Sequence, residues 1–369
     1  MKILNVIQGT HIGGMEKSSL LLMQALRDLD HQVRLISLTK LGLLEPYLDE
    51  LNIDSEGFSY RGPGGILDLF NYKRSVNSKK SDAIMMTGHS LIGMISLFGK
   101  RNNIPKVLFV HFHHKGVKPM WIWRIIYILA NRVFDNIFFA SNFIMKEALN
   151  IYPGIEQKSS YLPNPLPVCN LINQEKKLVA RNRFQIGEND IVIGNAGWLI
   201  KRKRFDILIR VCAEVKKSIP NLKVLIAGDG EERENLERLA EELDIKSNVV
   251  WLGWQKDLED FYSCLDIMLF NSDWDAVGLS PLEAIQRGVP TFASVINGGL
   301  EEILNGEFSF FIDSKHDVDA LSNKLLKSLS DKEKVYQLTL KCRDHINLLS
   351  DPLRIANEVL SKLTFKELE

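Results

Sequence analysis

A short apolar run followed by an amphipathic helical pattern recurs along almost the whole chain, and the recurrence starts twice. Such alternation leaves few folds open: each strand lies parallel to the last, and the helix between them crosses a face of the sheet. In the first half, strands are expected at Lys2–Gln8, Gln32–Leu38, Ala83–Thr87, Lys106–His111 and Asn136–Ala140. Helices fall between them, at about Met15–Leu29, Leu91–Lys100, Met120–Arg132 and Asn142–Leu149. The segment 161–175, YLPNPLPVCNLINQE, has three prolines and no periodicity, so it reads as a linker. The pattern then restarts with strands at 191–197, 221–228, 248–252, 265–270 and 289–293; a helix with Phe205, Leu208, Ile209 and Cys212 on its apolar face follows the first of them, and others fall at about 231–243, 257–264, 281–286, 317–329 and 353–363. The fold class is α/β, with two doubly wound, Rossmann-like domains that face a central cleft. In such folds ligands bind at the carboxyl ends of the strands.

Composition excludes several alternatives. With 369 residues, 45% hydrophobic and 25% charged, the chain can bury two cores and is neither disordered nor fibrous. Four scattered cysteines without a CxxC exclude a disulfide scaffold and a thiolate zinc site, and fit a reducing, cytoplasmic setting. The N-terminus lacks the pattern of a signal peptide. The longest uncharged stretch, Ala83–Gly99, is too short and too polar to span a bilayer. Charge is balanced overall but uneven. Residues 1–170 hold 19 basic and 13 acidic side chains, and Lys73–Arg132 holds 11 basic against the single acid Asp82. A folded basic surface attracts phosphate-bearing partners. No nucleic-acid reader motif is present, so nucleic acid is not the expected partner.

Four constellations could carry chemistry. Gly9-Thr-His-Ile-Gly13-Gly14-Met-Glu16 joins the first strand to the first helix, where free N–H groups can meet an anion. Gly197-Trp-Leu-Ile-Lys201-Arg202-Lys203-Arg204 puts four cations at a helix start, against the macrodipole, a conflict that a bound polyanion would remove. AGDGEERE (227–234) is again strand, glycine turn and helix, but Arg233 stands where a dinucleotide fingerprint needs glycine. Asp273-Trp-Asp275 admits a metal-binding reading, though nothing else in the sequence supplies ligands. Glu283 has two readings: a ligand-binding carboxylate, or the last residue of a capping box opened by Ser280-Pro281. Among histidines, Val110-His111-Phe-His113-His114 closes a strand, and His111 is placed for acid–base or hydrogen-bonding work.

Taken in order, these features resemble the family 4 glycosyltransferases of the GT-B fold, retaining enzymes that use nucleotide sugars. The family's E-x7-E signature is matched by Asp275-Ala-Val-Gly278-Leu-Ser-Pro-Leu-Glu283-Ala, and its GRLxxxKGFD element by Gly197-Trp-Leu-Ile-Lys-Arg-Lys203-Arg-Phe-Asp206. AGDGEER, Gly13-Gly14-Met-Glu16, SNFI (141–144) and LPNP (162–165) also match. The resemblance implies an acceptor-binding domain at 1–168 and a nucleotide-sugar-binding domain, with the linker, at 169–351. The terminal helix, about 352–369, is placed to pack back on the first domain. It further implies that Glu283 holds the ribose, and that Lys203, helped by Arg202, binds the diphosphate and stabilises the leaving group. Asp275 would bond a donor-sugar hydroxyl close to the amides of Gly278, Leu279 and Ser280. Gly13 and Gly14 would offer amides to the diphosphate beside Gly197, with the base against Val250–Gly253 and His111 next to the anomeric carbon. No metal or other cofactor is implied. Two positions depart from the pattern: Trp198 replaces an arginine, and Asp275 replaces a glutamate.

The expected reaction moves a sugar from a nucleoside-diphosphate sugar to a saccharide or lipid-linked saccharide, in synthesis of lipopolysaccharide, O-antigen or capsule. The alternatives are an epimerase of the same architecture and a catalytically silent sugar-nucleotide binder. Within 73–132, Trp121, Trp123 and Tyr127 among basic residues suit an anionic membrane surface at the inner face of the cytoplasmic membrane. If the stretch is instead a core helix, Trp121, Ile125 and Ile128 form its buried stripe.

Overall fold

The computed structural model describes residues 1–8, 13–60, 66–78, 80–97, 104–114, 118–313 and 315–364. Outside them lie Gly9–Ile12 of the first glycine turn, the end of the expected Leu91–Lys100 helix beyond Leu97, and Lys115–Val117 of the basic stretch. The chain divides into two compact units, 1–167 with 350–369, and 168–349. Val168, expected to end the first domain, falls in the second unit, and Ser350 and Asp351, expected to end the second, fall in the first.

The first unit is built on a seven-stranded sheet: β1 (Lys2–Ile7), β2 (Gln32–Ser37), β3 (Asp54–Gly57), β4 (Ala83–Thr87), β5 (Lys106–Val110), β6 (Asn136–Phe139) and β7 (Ser159–Tyr161). Their order is β3-β2-β1-β4-β5-β6-β7, and every pairing is parallel. All five residues of β4 and of β5 are buried, as a sheet covered by helices on both faces requires. The last helix, Pro352–Thr364, buries Ile355, Ala356, Val359 and Leu363 in the core that also holds Leu22, Met23 and Leu26 of the first helix, Gly14–Asp28. Those four positions lie on one face of a 3.6-residue period.

The second unit has β8 (Ile191–Ala196), β9 (Leu222–Ala227), β10 (Val249–Gly253), β11 (Ile267–Asp275), β12 (Thr291–Gly298) and β13 (Ile312–Asp313). Their order is β10-β9-β8-β11-β12-β13, again wholly parallel. Both sheets thus have the doubly wound topology expected from the alternation.

Three expectations need correction. Residues 161–175 are not all linker: Tyr161 ends β7, residues 162–166 are buried in the first unit, and a helix starts at Gln174. Strand β11 runs five residues beyond the expected Phe270, so Asp273 and Asp275 stand on a strand held by β12 through Asp275↔Gly298. In the helix Met120–Val133 the buried face is Trp123, Ile126, Tyr127, Ala130 and Val133, while Trp121 is 65% and Ile125 42% exposed. Apolar residues occupy both faces of this helix, so periodicity alone could not choose. The choice is made by hydrogen bonds: the Trp123 indole donates to His114 O at 3.0 Å, and Tyr127 Oη meets His114 Nε2 at 2.5 Å.

Candidate active site

In the second sheet the chain leaves β8 toward β9 on one side and β11 toward β12 on the other, so the segments after β8 and β11 diverge at the carboxyl edge. That divergence is where a doubly wound sheet opens a ligand crevice. After β8, Lys201–Lys203 form a separate 3-10 turn, and Arg204 adopts a left-handed conformation (φ 46°) before the helix Phe205–Lys216. The four cations therefore precede the helix instead of opening it, and three of them meet aspartates. Lys203 Nζ is bonded to Asp275 Oδ2 and lies 4.9 Å from the Phe270 ring centre. Arg202 Nη1 donates to Trp274 O at 3.1 Å, stands 3.7 Å from Asp275 Oδ2, and its guanidinium covers the Trp274 ring at 4.2 Å. Arg204 bonds both oxygens of Asp206 at 3.0 Å, and Asp273 Oδ1 at 3.1 Å. His316 Nε2 faces the same Asp273 oxygen at 3.3 Å.

Burial pushes the Asp275 carboxyl up. The charges of Lys203 and Arg202 and the hydrogen bonds from Lys203 and the Ala276 N–H outweigh it, holding the group below the usual carboxylate range. With Trp198 in place of the family's arginine, Arg202 is the arginine that stands beside Lys203 and Asp275, while Arg204 turns to Asp206 and Asp273. Trp198 itself is half exposed.

The glycine turns pack against one another. Gly197 N donates to Ala227 O and Leu199 N to Asp229 O, both at 2.9 Å, and Gly228 N donates to Gly253 O at 2.7 Å. A Cβ on Gly228 would stand 1.9 Å from Gly197 O, and one on Gly230 would stand 2.4 Å from Leu199 O. The glycines of AGDGEER are thus required by the close approach of two loops, whatever they bind. Half-buried Val250 and Gly253 lie on β10, which ends this row.

After β11, Gly278 (φ 80°) turns the chain and caps a helix that starts at Leu279. The capping-box reading of Ser280–Glu283 falls, because the helix begins too early: Ser280 is its second residue and Glu283 its fifth. Ser280 Oγ instead donates to Ala196 O at 3.1 Å, tying this helix to the end of β8. Glu283 Oε2 accepts from Tyr262 Oη at 2.7 Å. Burial, reinforced by the Glu283 charge, raises the Tyr262 pKa well above normal, so the phenol keeps the proton it donates.

In the first unit, Gly13 caps the helix Gly14–Asp28, and Glu16 Oε2 accepts from Gly13 N at 3.0 Å, giving the helix N-terminus a carboxylate of its own. His111 follows β5 and its Nδ1 meets Asn164 Oδ1 at 2.8 Å. Burial, the larger effect, pushes its pKa down to about 4 against the upward pull of that bond, so the ring is neutral at neutral pH. His113 and His114 turn the other way, to Glu147 at 3.3 and 3.2 Å. Among the described residues no group of three or more His, Cys, Asp or Glu is arranged to hold a metal ion.

The structure thus brings Lys203, Arg202 and Asp275 into contact and sets Gly197, Gly278, Leu279, Ser280 and Glu283 on the same edge. Sequence reasoning missed Tyr262, Trp274 and Asn164. Asn164 lies in the LPNP segment, read as linker, and Trp274 between the aspartates of Asp273-Trp-Asp275; Tyr262 lies in no motif.

Comparison with known proteins follows the same division. Residues 12–168 match the family described as Glycosyltransferase Family 4, and residues 177–343 match Glycosyl transferases group 1. Over 165 residues the chain is 30% identical to the lipopolysaccharide core biosynthesis glycosyltransferase LpsE of Rhizobium meliloti, covering 44% of this chain and 47% of LpsE. Over 158 residues it is 27% identical to an uncharacterized glycosyltransferase of Methanocaldococcus jannaschii, covering 43% and 39%. The chain spans less than half the length of these two relatives. Anabaena HepE, solved in complex with UDP-glucose, is similar over 99% of both chains, with a TM-score of 0.87 at 20% identity. With one family match on each unit and this similarity of fold along the whole length, the chain belongs to the family 4 glycosyltransferases and has their GT-B fold.

Proposed function

We propose that the protein transfers a sugar, with retention at the anomeric carbon, from a nucleoside-diphosphate sugar to a saccharide or lipid-linked saccharide acceptor. The observation that carries this reading is the meeting of Lys203, Arg202 and Asp275 at the switch point of the second sheet. Charge grows on the departing phosphate oxygen as the anomeric bond breaks, and fixed cations are the largest lever on such a step. Asp275 is the carboxylate that pairs with those cations. A diphosphate brings more negative charge than one carboxylate, so it displaces Lys203 from Asp275 and frees that carboxylate for a sugar hydroxyl. Glu283, fixed by Tyr262, accepts from the ribose diol. Within the first unit, Gly14 offers its amide to an anion at the start of the first helix, and His111 accepts from a sugar hydroxyl.

No metal is needed on this reading, because Asp273 and Asp275 are already met by Arg204, Lys203 and Arg202. HepE bound to UDP-glucose and LpsE of lipopolysaccharide core synthesis support a UDP-sugar donor and a cell-envelope acceptor.

The acceptor is proposed to lie at an anionic membrane surface. Among the described residues no helix is long and apolar enough to cross a membrane. The first unit does expose Phe70, Ile95, Met120, Trp121 and Ile125, together with Lys73, Arg74, Arg124 and Arg132.

The test is a thermal-shift screen of nucleoside diphosphates and their sugars, followed by turnover of the best donor in excess chelator. A nucleotide sugar at 100 times its Kd should add about 2.7 kcal/mol of stability. Absence of any shift would refute donor binding, and activity lost to chelator but restored by magnesium or manganese would refute the metal-free reading.

A further inference from the structure

We infer that Asn164 is a positioning residue for His111: its side-chain oxygen holds the imidazole proton on Nδ1 and so leaves Nε2 as an acceptor for a substrate hydroxyl. The second half of this rests on the reading that His111 meets the sugar; the first does not. An amide oxygen only accepts, so the 2.8 Å contact between Asn164 Oδ1 and His111 Nδ1 requires the proton on Nδ1. Since the ring is neutral, Nε2 then carries a lone pair. Among the described residues Nε2 has no partner, and the ring is set nearly parallel to Phe109, at 17° and 6.2 Å between centres.

Asn164 is built to hold this position. It is buried and stands between Pro163 and Pro165, whose rings fix φ on either side. The segment is pinned at both ends: Leu162 N donates to Phe139 O at 2.9 Å and Leu166 N to Ser350 O at 3.0 Å. A small pocket between His111 and Asn164 is lined from the first helix by Ser18 and Ser19, from β4 by Thr87 and from the last helix by Ile355. Among the described residues no charged side chain lines it. A neutral imidazole with a fixed bare nitrogen accepts from a hydroxyl and rejects a group that can only accept. Asn164 would therefore contribute to selecting a hydroxyl at that place on the substrate.

The experiment is a two-bond proton–nitrogen correlation spectrum of histidine-labelled protein, where protonated and bare ring nitrogens resonate far apart. The spectrum of His111→Gln identifies the signal. The wild-type protein should show His111 protonated on Nδ1; a proton on Nε2 would mean that the amide is turned round and donates, which overturns the inference. Asn164→Ala should release the ring to a mixture of tautomers and lower kcat roughly three- to tenfold, the size of one neutral hydrogen bond, with little change in the Kd for the nucleoside diphosphate. An unchanged spectrum in that variant would also overturn it. Asn164→Asp accepts the same proton, so it should keep the Nδ1 form while its charge raises the proton affinity of the ring roughly tenfold. The wild-type and Asn164→Asp spectra carry the test should the alanine variant not fold. Wild-type turnover in His111→Gln, with the tautomers as expected, would fail the reading of His111 and not that of Asn164.

Discussion

The two units have the same sheet topology but keep their charge in different places. At the carboxyl edge of the second sheet, three cations and three aspartates are interlocked: Lys203 and Arg202 on Asp275, Arg204 on Asp206 and Asp273. In the first sheet the described side chains around His111 at the corresponding edge are neutral, although Glu16 puts a carboxylate at the start of the first helix. Asn5, Ser19 and Thr87 hydrogen-bond one another at 2.8 to 3.4 Å, and His111, uncharged, bonds Asn164. The basic excess of that unit lies instead on exposed helix positions such as Lys73, Arg74, Arg124 and Arg132. Topology therefore fixes where a ligand can sit, and side-chain charge decides which ligand. A charged edge suits a diphosphate, a neutral one suits sugar hydroxyls, and a basic helix face suits a phosphate-bearing surface.

Removing the cation that defines the charged edge should have the largest effect. Lys203→Ala should lower kcat on the order of a hundredfold, the usual cost of losing one charge-stabilising group. It also strips Asp275 of its nearest cation, so the carboxyl pKa should rise. Steady-state rates at low and high salt check this, and wild-type rates in the variant would erase the contrast between the two edges.

A smaller effect separates binding from structure at Glu283. Glu283→Gln still offers an oxygen to Tyr262, so Tm should stay close to the wild-type value. On the proposed reading the charged acceptor for ribose is lost, which should weaken nucleoside-diphosphate binding roughly tenfold. Calorimetric titration measures it. Unchanged affinity would make Glu283 a packing partner of Tyr262 and nothing more.

How far the sequence could reach shows in these same residues. Lys203, Asp275 and Glu283 were legible because they sit at fixed spacing beside glycines. Their pairings were not, because Lys203 and Asp275 are 72 positions apart and meet only where β8 and β11 become neighbours. The start of the helix at Leu279 was misread because Pro281 suits the first helical position. Proline is equally free of cost at the third, where its missing N–H has no helical partner, and the positive φ of Gly278 moved the start. The linker was misread for a related reason. Prolines at 163 and 165 signal the absence of regular structure, which a buried, pinned segment shares with a mobile one. Alternation, by contrast, marks the strands with buried apolar runs and misses β3, β7 and β13, short edge strands that have no such run.

The smallest predicted effect tests the basic helix face. Trp121 and Ile125 are exposed beside Arg124 on the helix Met120–Val133, while Trp123 is fully buried under the same helix. Trp121→Ser with Ile125→Ser should therefore fold with unchanged Tm, whereas Trp123→Ala should lose about 3–5 kcal/mol of stability as a buried tryptophan does. In sedimentation with vesicles, the wild-type protein should bind anionic lipid at low salt and release it at high salt, since each basic residue near the surface contributes about 1 kcal/mol. The double variant keeps those charges and loses only the apolar contact, so its binding should fall several-fold while its salt dependence persists. Charge alone would then steer the protein to the surface, with the exposed rings holding it there. Equal binding by variant and wild type would assign the whole effect to the cations. No binding of the wild type to anionic vesicles at low salt would remove the membrane from the comparison and leave the neutral edge of the first unit to a soluble acceptor.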